Sequence, residues 1–148
     1  MPYTFQHLDD QQASAASFAL MGVLRPHLVN PERYVAQLVR QREQGYRLLA
    51  AKEGERLVGL AGYRALENLL YGRFIYVDDL VVSPELQRGG VGAQLLSAVR
   101  EQALQRDCDY LVLDTGLHMP LAQRFYFRQG LLARGMHFTQ SLRAGSPA

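Results

Sequence analysis

The chain has 148 residues, 48% of them hydrophobic and 20% charged, the size and balance of one ordinary globular domain; two full domains and extensive disorder are excluded. Sixteen basic against fourteen acidic residues leave a formal charge of +2 without any basic block, which argues against nucleic acid as a partner. Cys108 is the single cysteine, so an internal disulfide and a cysteine-based metal cluster are excluded and a reducing compartment fits best.

Tyr3 to Leu8 alternates like a strand, and Asp9-Asp10 then sets up a helix through Ala13, Phe18, Leu20 and Met21. Asn30-Pro31-Glu32 opens a second helix, with a cap residue followed by proline at the first position; Tyr34, Val35, Leu38 and Val39 recur at helical spacing until Gly45. From Tyr46 the pattern becomes that of a β-hairpin: Tyr46 to Ala51, a turn at Glu53-Gly54-Glu55, then Leu57 to Tyr63. Arg73 to Val82 is a β-rich run interrupted by Asp78-Asp79 and ended by Ser83-Pro84. An amphipathic helix marked by Val91, Leu95, Leu96, Val99 and Leu104 follows, starting inside the glycine cluster Gly89-Gly90-Val91-Gly92. Tyr110 to Leu113 reads as a short buried strand, parallel to its partner across that helix. Pro120 opens the last helix, through Leu121, Ala122, Phe125 and Tyr126 to a cap at Gly130, and Leu131 to Leu142 reads as a final strand. The expected domain is 1–143, with 144–148 a flexible tail. No apolar run approaches the ~20 residues of a membrane span. The N-terminus carries Asp9 and Asp10 and has no basic residue before Arg25, unlike a signal peptide. A cytoplasmic protein with no membrane partner is the expectation.

Strand, glycine loop, helix is an arrangement that binds phosphate, because the first turn of a helix offers free N–H groups and a positive dipole end. Glycines at 89, 90 and 92 remove the side chains that would hold a diphosphate off those groups. A purely structural reading, in which the glycines permit a tight turn and close packing, stands beside it. A nucleoside triphosphate loop is excluded, because Ala93 and Gln94 follow Gly92 where Lys and Ser or Thr are required. A dinucleotide loop stays open on spacing: Gly90-Val91-Gly92 supplies two glycines, and Asp114 ends the next strand where a ribose-binding carboxylate belongs. Against it, Leu95 occupies the third glycine position.

Gln87-Arg88-Gly89-Gly90-Val91-Gly92 resembles the Gln/Arg-x-x-Gly-x-Gly/Ala motif of the GNAT N-acetyltransferases, and Ala122-x-x-Phe125-Tyr126-x-x-x-Gly130 is similar to that family's second signature. The resemblance covers most of the chain. It implies an α/β (α+β) fold with a mixed, mostly antiparallel sheet of six to seven strands and about four helices, in which a splayed parallel pair forms the acetyl-CoA cleft. It further implies that Gln87, Arg88, Gly89, Gly90, Val91, Gly92 and Ala93 hold the pyrophosphate of acetyl-CoA, while the backbone of Leu80, Val81 and Val82 pairs with the pantetheine arm.

Acetyl transfer from a thioester to an amine needs a deprotonated amine, a donor for the developing oxyanion and an acid for the departing thiolate. By the resemblance, Tyr126 is that acid or hydrogen-bond donor, although its spacing beside Ala122 and Phe125 equally suits a core aromatic. Asp78 matches the position of a residue that handles the substrate amine, and Asp79 a neighbouring structural or substrate-binding one. Adjacent strand residues point to opposite faces unless a bulge intervenes, so only one of the pair is expected to face substrate. An aspartate near pKa ~3.9 is a poor direct base for an ammonium near ~10.4, which favours action through water or by holding the cation. Met119 stands where many members carry a pantetheine-binding Asn; His118 and Thr115 are the nearby polar replacements. Tyr34, Arg33 and Tyr71 are candidates for the acceptor pocket. The histidines, at 7, 27, 118 and 137, have no metal-ligand spacing, so no metal is expected. The leading expectation is an acetyl-CoA-dependent N-acetyltransferase acting on a primary amine of a small molecule or peptide, with a homodimer through the last strand implied by similar proteins. A non-catalytic acyl-CoA sensor and a dinucleotide binder are the alternatives.

Overall fold

The computed structural model describes residues 3–143, and the chain divides into two units, Met1–Leu113 and Asp114–Ala148. In the first, β1 (Tyr3–His7) leads into three helices, α1 (Gln11–Ala16), α2 (Phe18–Leu24) and α3 (Pro31–Glu43). Then come β2 (Tyr46–Glu53), β3 (Arg56–Asn68), β4 (Gly72–Val82), a 3-10 turn at Pro84–Leu86, α4 (Val91–Gln105) and β5 (Tyr110–Leu113). The second unit carries α5 (Pro120–Arg128). The sheet runs β1-β2-β3-β4-β5, antiparallel except for the parallel β4–β5 pair.

The helix starts obey their local chemistry. Asp10 Oδ1 accepts the Ala13 N–H at 2.6 Å, and Asn30 Oδ1 accepts the Arg33 N–H at 3.0 Å with Pro31 in the first turn. The single first helix expected from the sequence is broken at Ser17. There both the backbone N–H (3.1 Å) and the Oγ (2.6 Å) donate to the Ser14 carbonyl, three residues back, which interrupts the regular ladder. Gly45, at φ +92°, ends α3 and turns the chain into β2.

Alternation along the strands gives the sheet two buried faces. Leu49, Ala51, Ala61, Tyr63, Ile75 and Val77 meet Val91, Leu95, Val99 and Ala103 of α4 on one side. Leu48, Ala50, Leu60 and Val81 meet Met21, Tyr34, Val35 and Leu38 from the N-terminal helices on the other. Full burial of a side chain such as Leu95 or Val99 contributes roughly 1.5–3 kcal/mol, which fixes the register of α4 against the sheet.

Three expectations change. The second hairpin strand does not stop at Tyr63 but runs to Asn68, whose Oδ1 accepts the N–H groups of Leu70 (3.0 Å) and Tyr71 (2.7 Å) while Gly72 turns at φ +68°. Five strands and five α-helices are present among the described residues, not six to seven strands and about four helices. The missing strand is 131–142, which is almost wholly exposed and joins no ladder; β-like composition makes a strand only where a neighbouring edge takes its hydrogen bonds. The dinucleotide reading is overturned as well, because one parallel pair at the edge of an antiparallel sheet is not a doubly wound sheet. The expected tail at 144–148 lies outside the described residues. No helix among the described residues is long and apolar enough to cross a membrane.

Candidate active site

The acidic pair sits on a defect of the sheet. Gly62 pairs with Asp79 and Tyr63 with Val77, leaving Asp78 as the extra residue of a β-bulge. Ahead of the bulge Ile75 and Val77 pack toward α4; beyond it Leu80 and Val82 do. The parity switch brings both aspartates to the face covered by α1–α3, so the expectation that only one points there is corrected. Their partners agree. Tyr46, Arg64 and Tyr76 are cross-strand neighbours on that face, and Arg64 and Tyr46 bind Asp78 and Asp79 respectively.

Asp78 is held in a guanidinium fork, Arg64 Nε to Oδ2 at 2.9 Å and Nη2 to Oδ1 at 2.8 Å. Burial is the largest influence on its carboxyl and raises the pKa above the ordinary value, with Arg64 opposing and Asp79 adding to the rise. Asp79 Oδ1 accepts from Arg25 Nε (3.1 Å) and Nη2 (2.9 Å), and Oδ2 accepts from the Tyr46 hydroxyl at 2.8 Å. Arg25 Nη2 also reaches the Asp78 carbonyl at 2.9 Å, so the C-terminal end of α2 is tied to both residues of the bulge. Burial first, then Asp79, pushes the Tyr46 hydroxyl far up, and it stays protonated as a donor. Its ring lies against Gly62, where a Cβ would come within 2.7 Å of Cε1.

Beyond the bulge, β4 loses its parallel neighbour. The β4–β5 ladder pairs Phe74 to Val77 with Tyr110 to Leu113, while β4 continues to Val82. Leu80, Val81 and Val82 pair with Ala61, Leu60 and Gly59 on one side and with no strand on the other among the described residues. This open edge leads into the glycine loop. The Ser83 N–H bonds the Val58 carbonyl at 2.8 Å, an Arg56–Glu85 ion pair ties the 3-10 turn to β3, and Gly90 adopts φ +82° as the N-cap of α4. No side chain caps that helix, and its first turn carries no acidic residue. Within α4, Gln94 N–H reaches Gly90 O at 3.1 Å, so the amides of Val91, Gly92 and Ala93 are orphan donors. Gln87, Arg88, Gly89 and Gly90 are exposed while Val91 is buried as the anchor. An extended amide chain ending in a diphosphate fits these donors: first a strand edge, then a helix mouth.

In the second unit, α5 begins at Pro120 after Met119, which supplies no side-chain cap, and ends at Gly130 with φ +90°. Gln123 Nε2 holds the preceding loop through the carbonyls of Gly116 (3.1 Å) and Leu117 (3.2 Å). Tyr126 packs edge-on against Phe125 at 5.4 Å, and its hydroxyl has no hydrogen-bond partner among the described residues. Burial raises its pKa, so it is protonated at neutral pH.

The family model for the Acetyltransferase (GNAT) family matches residues 13–131. The chain belongs to the GNAT family. Among curated relatives, the aminoalkylphosphonate N-acetyltransferase of Salmonella typhimurium is 33% identical over 95 residues, covering 64% of this chain and 61% of that protein. The thialysine N-epsilon-acetyltransferase of Sus scrofa is 34% identical over 56 residues, covering 38% and 33%. The chain thus matches about three fifths of the first relative's length and a third of the second's. The solved structure of aminoglycoside N-acetyltransferase AAC(6')-Iy in complex with CoA superposes with a TM-score of 0.82 over 95% of both chains at 14% identity, a likeness of fold.

The structure gathers Asp78, Asp79, Leu80, Val81 and Val82 on one GNAT strand that runs into the residues 87–93. Tyr34, expected at the acceptor site, is a buried core residue whose hydroxyl shares a 2.7 Å hydrogen bond with Ser17 Oγ, though it also lines a surface concavity. Tyr71 lies at the tip of the β3–β4 hairpin against Phe74 and Tyr110, eight residues or about 25 Å along the strand from Asp79. Arg25, Arg64 and Tyr46 are not among the site residues expected from the sequence. Arg64 was findable: once Asn68 and Gly72 are seen to close the hairpin, it falls opposite Tyr76 and beside the acidic pair. Arg25 and Tyr46 carry no such signal.

Proposed function

We propose that this chain transfers the acetyl group of acetyl-CoA to a primary amine by direct attack in a ternary complex. The observation that carries the reading is the unpaired stretch of β4 leading into an uncapped, glycine-built helix mouth, in a GNAT chain. Named relatives act on different amines, aminoalkylphosphonates and thialysine, so the acceptor class is left to the residues of this chain.

In this reading the 87–93 amides take the pyrophosphate and the edge of Leu80 to Val82 takes the pantetheine, leaving a backbone N–H for the thioester oxyanion. The acidic bulge attracts the acceptor's ammonium. Asp78, raised by burial yet braced by Arg64, receives the amine proton through water, and Asp79 keeps the N-terminal helices registered on the site. The freed amine attacks the carbonyl carbon, the C–N bond forms and the C–S bond breaks, and the second proton lost by the nitrogen passes to the departing sulfur, which accepts a hydrogen bond from Tyr126. A phenol above ~10 facing a thiol near ~8.5 acts mainly as donor, not as a strong acid.

The test is thiol release from acetyl-CoA across a panel of primary amines, with CoA binding followed in parallel by calorimetry. Release that depends on an amine supports the proposal. Binding without release for any amine makes the protein an acyl-CoA sensor, and neither binding nor release removes the site.

A further inference from the structure

Arg64 reaches Asp78 along a diagonal. Its cross-strand partner on β4 is Tyr76, so the guanidinium meets the Tyr76 ring on its way to the carboxylate. The guanidinium carbon lies 5.7 Å from the ring centroid while Nε and Nη2 close the fork on Asp78 at 2.9 and 2.8 Å. That separation is one at which a cation is attracted to the face of an aromatic ring. Arg64 keeps 31% of its side-chain surface in solvent, and an arginine so placed has rotamer freedom to lose before a two-point contact forms. A flat ring against a flat guanidinium removes the rotamers that open the fork.

The two aspartates differ in what their partners leave over. A carboxylate has about four lone-pair sites. The Arg64 fork takes one on each Asp78 oxygen, whereas Asp79 accepts two bonds from Arg25 and a third from Tyr46. Asp78 is also the more exposed, 22% against 15%. The charged and titratable groups that face it are Arg64 from β3, Asp79 beside it, Arg25 from the end of α2 and Tyr46 from β2. The last three are bound to one another. After burial, Arg64 is the largest influence on the Asp78 carboxyl and favours its charged form. We propose that Tyr76 is a positioning residue: its ring carries the Arg64 guanidinium and, through it, fixes the Asp78 carboxylate with its outer lone pairs open to the water that relays the amine proton. The use in proton relay rests on the acetyltransfer reading; the hold of Tyr76 on Asp78 does not.

The test follows the Asp78 carboxyl carbon by NMR across an acid titration in the wild type, Tyr76→Leu, Tyr76→Phe, Arg64→Gln and the Tyr76→Leu/Arg64→Gln double variant, with folding checked by circular dichroism. Tyr76→Thr, which suits a strand, repeats the loss of the ring should the leucine variant fail to fold. Tyr76→Leu should move the midpoint to higher pH, because a loosened guanidinium favours the carboxylate less, and Tyr76→Phe, which keeps the ring, should titrate like the wild type. In the Arg64→Gln background Tyr76→Leu should add nothing. Equal midpoints in Tyr76→Leu and wild type, a phenylalanine variant that moves as far as the leucine variant, or the same shift with and without Arg64 overturns the proposal. A second arm measures kcat/KM for whichever primary amine is acetylated. The wild-type to Tyr76→Leu ratio should rise roughly threefold as pH falls through the two NMR midpoints, the acceptor's own titration cancelling in the ratio. A shifted midpoint beside a ratio flat in pH upholds Tyr76 as the support of Asp78 and removes Asp78 from proton transfer, a failure of the acetyltransfer mechanism alone. A shifted midpoint with no amine acetylated upholds the support in the same way, and an unshifted one overturns it whatever the turnover.

Discussion

Tyr46→Phe isolates the contact that ties the acidic bulge to the sheet beneath it. Tyr46 is 2% exposed and its hydroxyl donates to Asp79 Oδ2 at 2.8 Å; the substitution removes that one atom and keeps the ring against Gly62. A hydrogen bond to a charged acceptor contributes roughly 1.5–3 kcal/mol. Asp79 retains both bonds from Arg25, and its side chain is 15% exposed, so water can reach the freed oxygen; the expected loss is therefore at the lower end, about 1.5 kcal/mol. In a chain of this size that lowers Tm by roughly 3–6 °C. Urea unfolding followed by circular dichroism should give an unchanged slope with a lower midpoint. The decisive measurement is the double-mutant cycle with Asp79→Asn, for which a coupling of about 1 kcal/mol or more is expected. A coupling under about 0.5 kcal/mol would mean that the hydroxyl and the carboxylate do not hold one another, and the account of the bulge as a braced element would be wrong.

Tyr126→Phe should cut turnover by roughly a hundredfold while the KM for acetyl-CoA changes little, and equal turnover removes Tyr126 from the chemistry. Gly90→Val forces a branched side chain into φ +82°, at a cost of about 1–3 kcal/mol; calorimetry should show CoA affinity falling at least ~10-fold, and unchanged affinity would refute the loop as the diphosphate site. His7 bonds the Tyr63 hydroxyl at 2.7 Å, and burial, aided by Arg47, holds its pKa below 6.5. The folded state therefore binds its proton less readily than the unfolded state, and its contribution to stability is lost as pH falls from 6.5 through the folded value. Against His7→Gln, the wild type should show the steeper loss of Tm over that window; matching slopes would exclude His7 as the cause.

What was legible in the sequence is what local chemistry decides. Asn30-Pro31, Gly45, Gly90, Pro120 and Gly130 mark their helix ends at the expected places because caps and positive φ angles depend on one or two residues. Strand content depends on neighbours as well. Leu131 to Leu142 has the composition of a strand and joins no ladder, whereas Arg64 to Asn68 looked unremarkable and pairs with β4 because Asn68 folds the turn back. The bulge was the deciding unknown. Two adjacent aspartates on a regular strand would straddle the sheet, one of them driven toward the apolar packing of α4, where a carboxylate has no partner. A single extra residue at Asp78 puts both on the side where Arg64, Arg25 and Tyr46 satisfy them. Gly62 opposite Asp79 is part of the same solution, since its missing side chain makes the space for the Tyr46 ring. Asp78-Asp79, Gly62, Tyr46, Arg64 and Arg25 thus form one interdependent set drawn from α2 and three strands, and its members gain meaning only together. That is why the motif residues of a single loop, and Arg64 through its hairpin register, were readable from the chain, while Arg25 and Tyr46, which brace Asp79, were not.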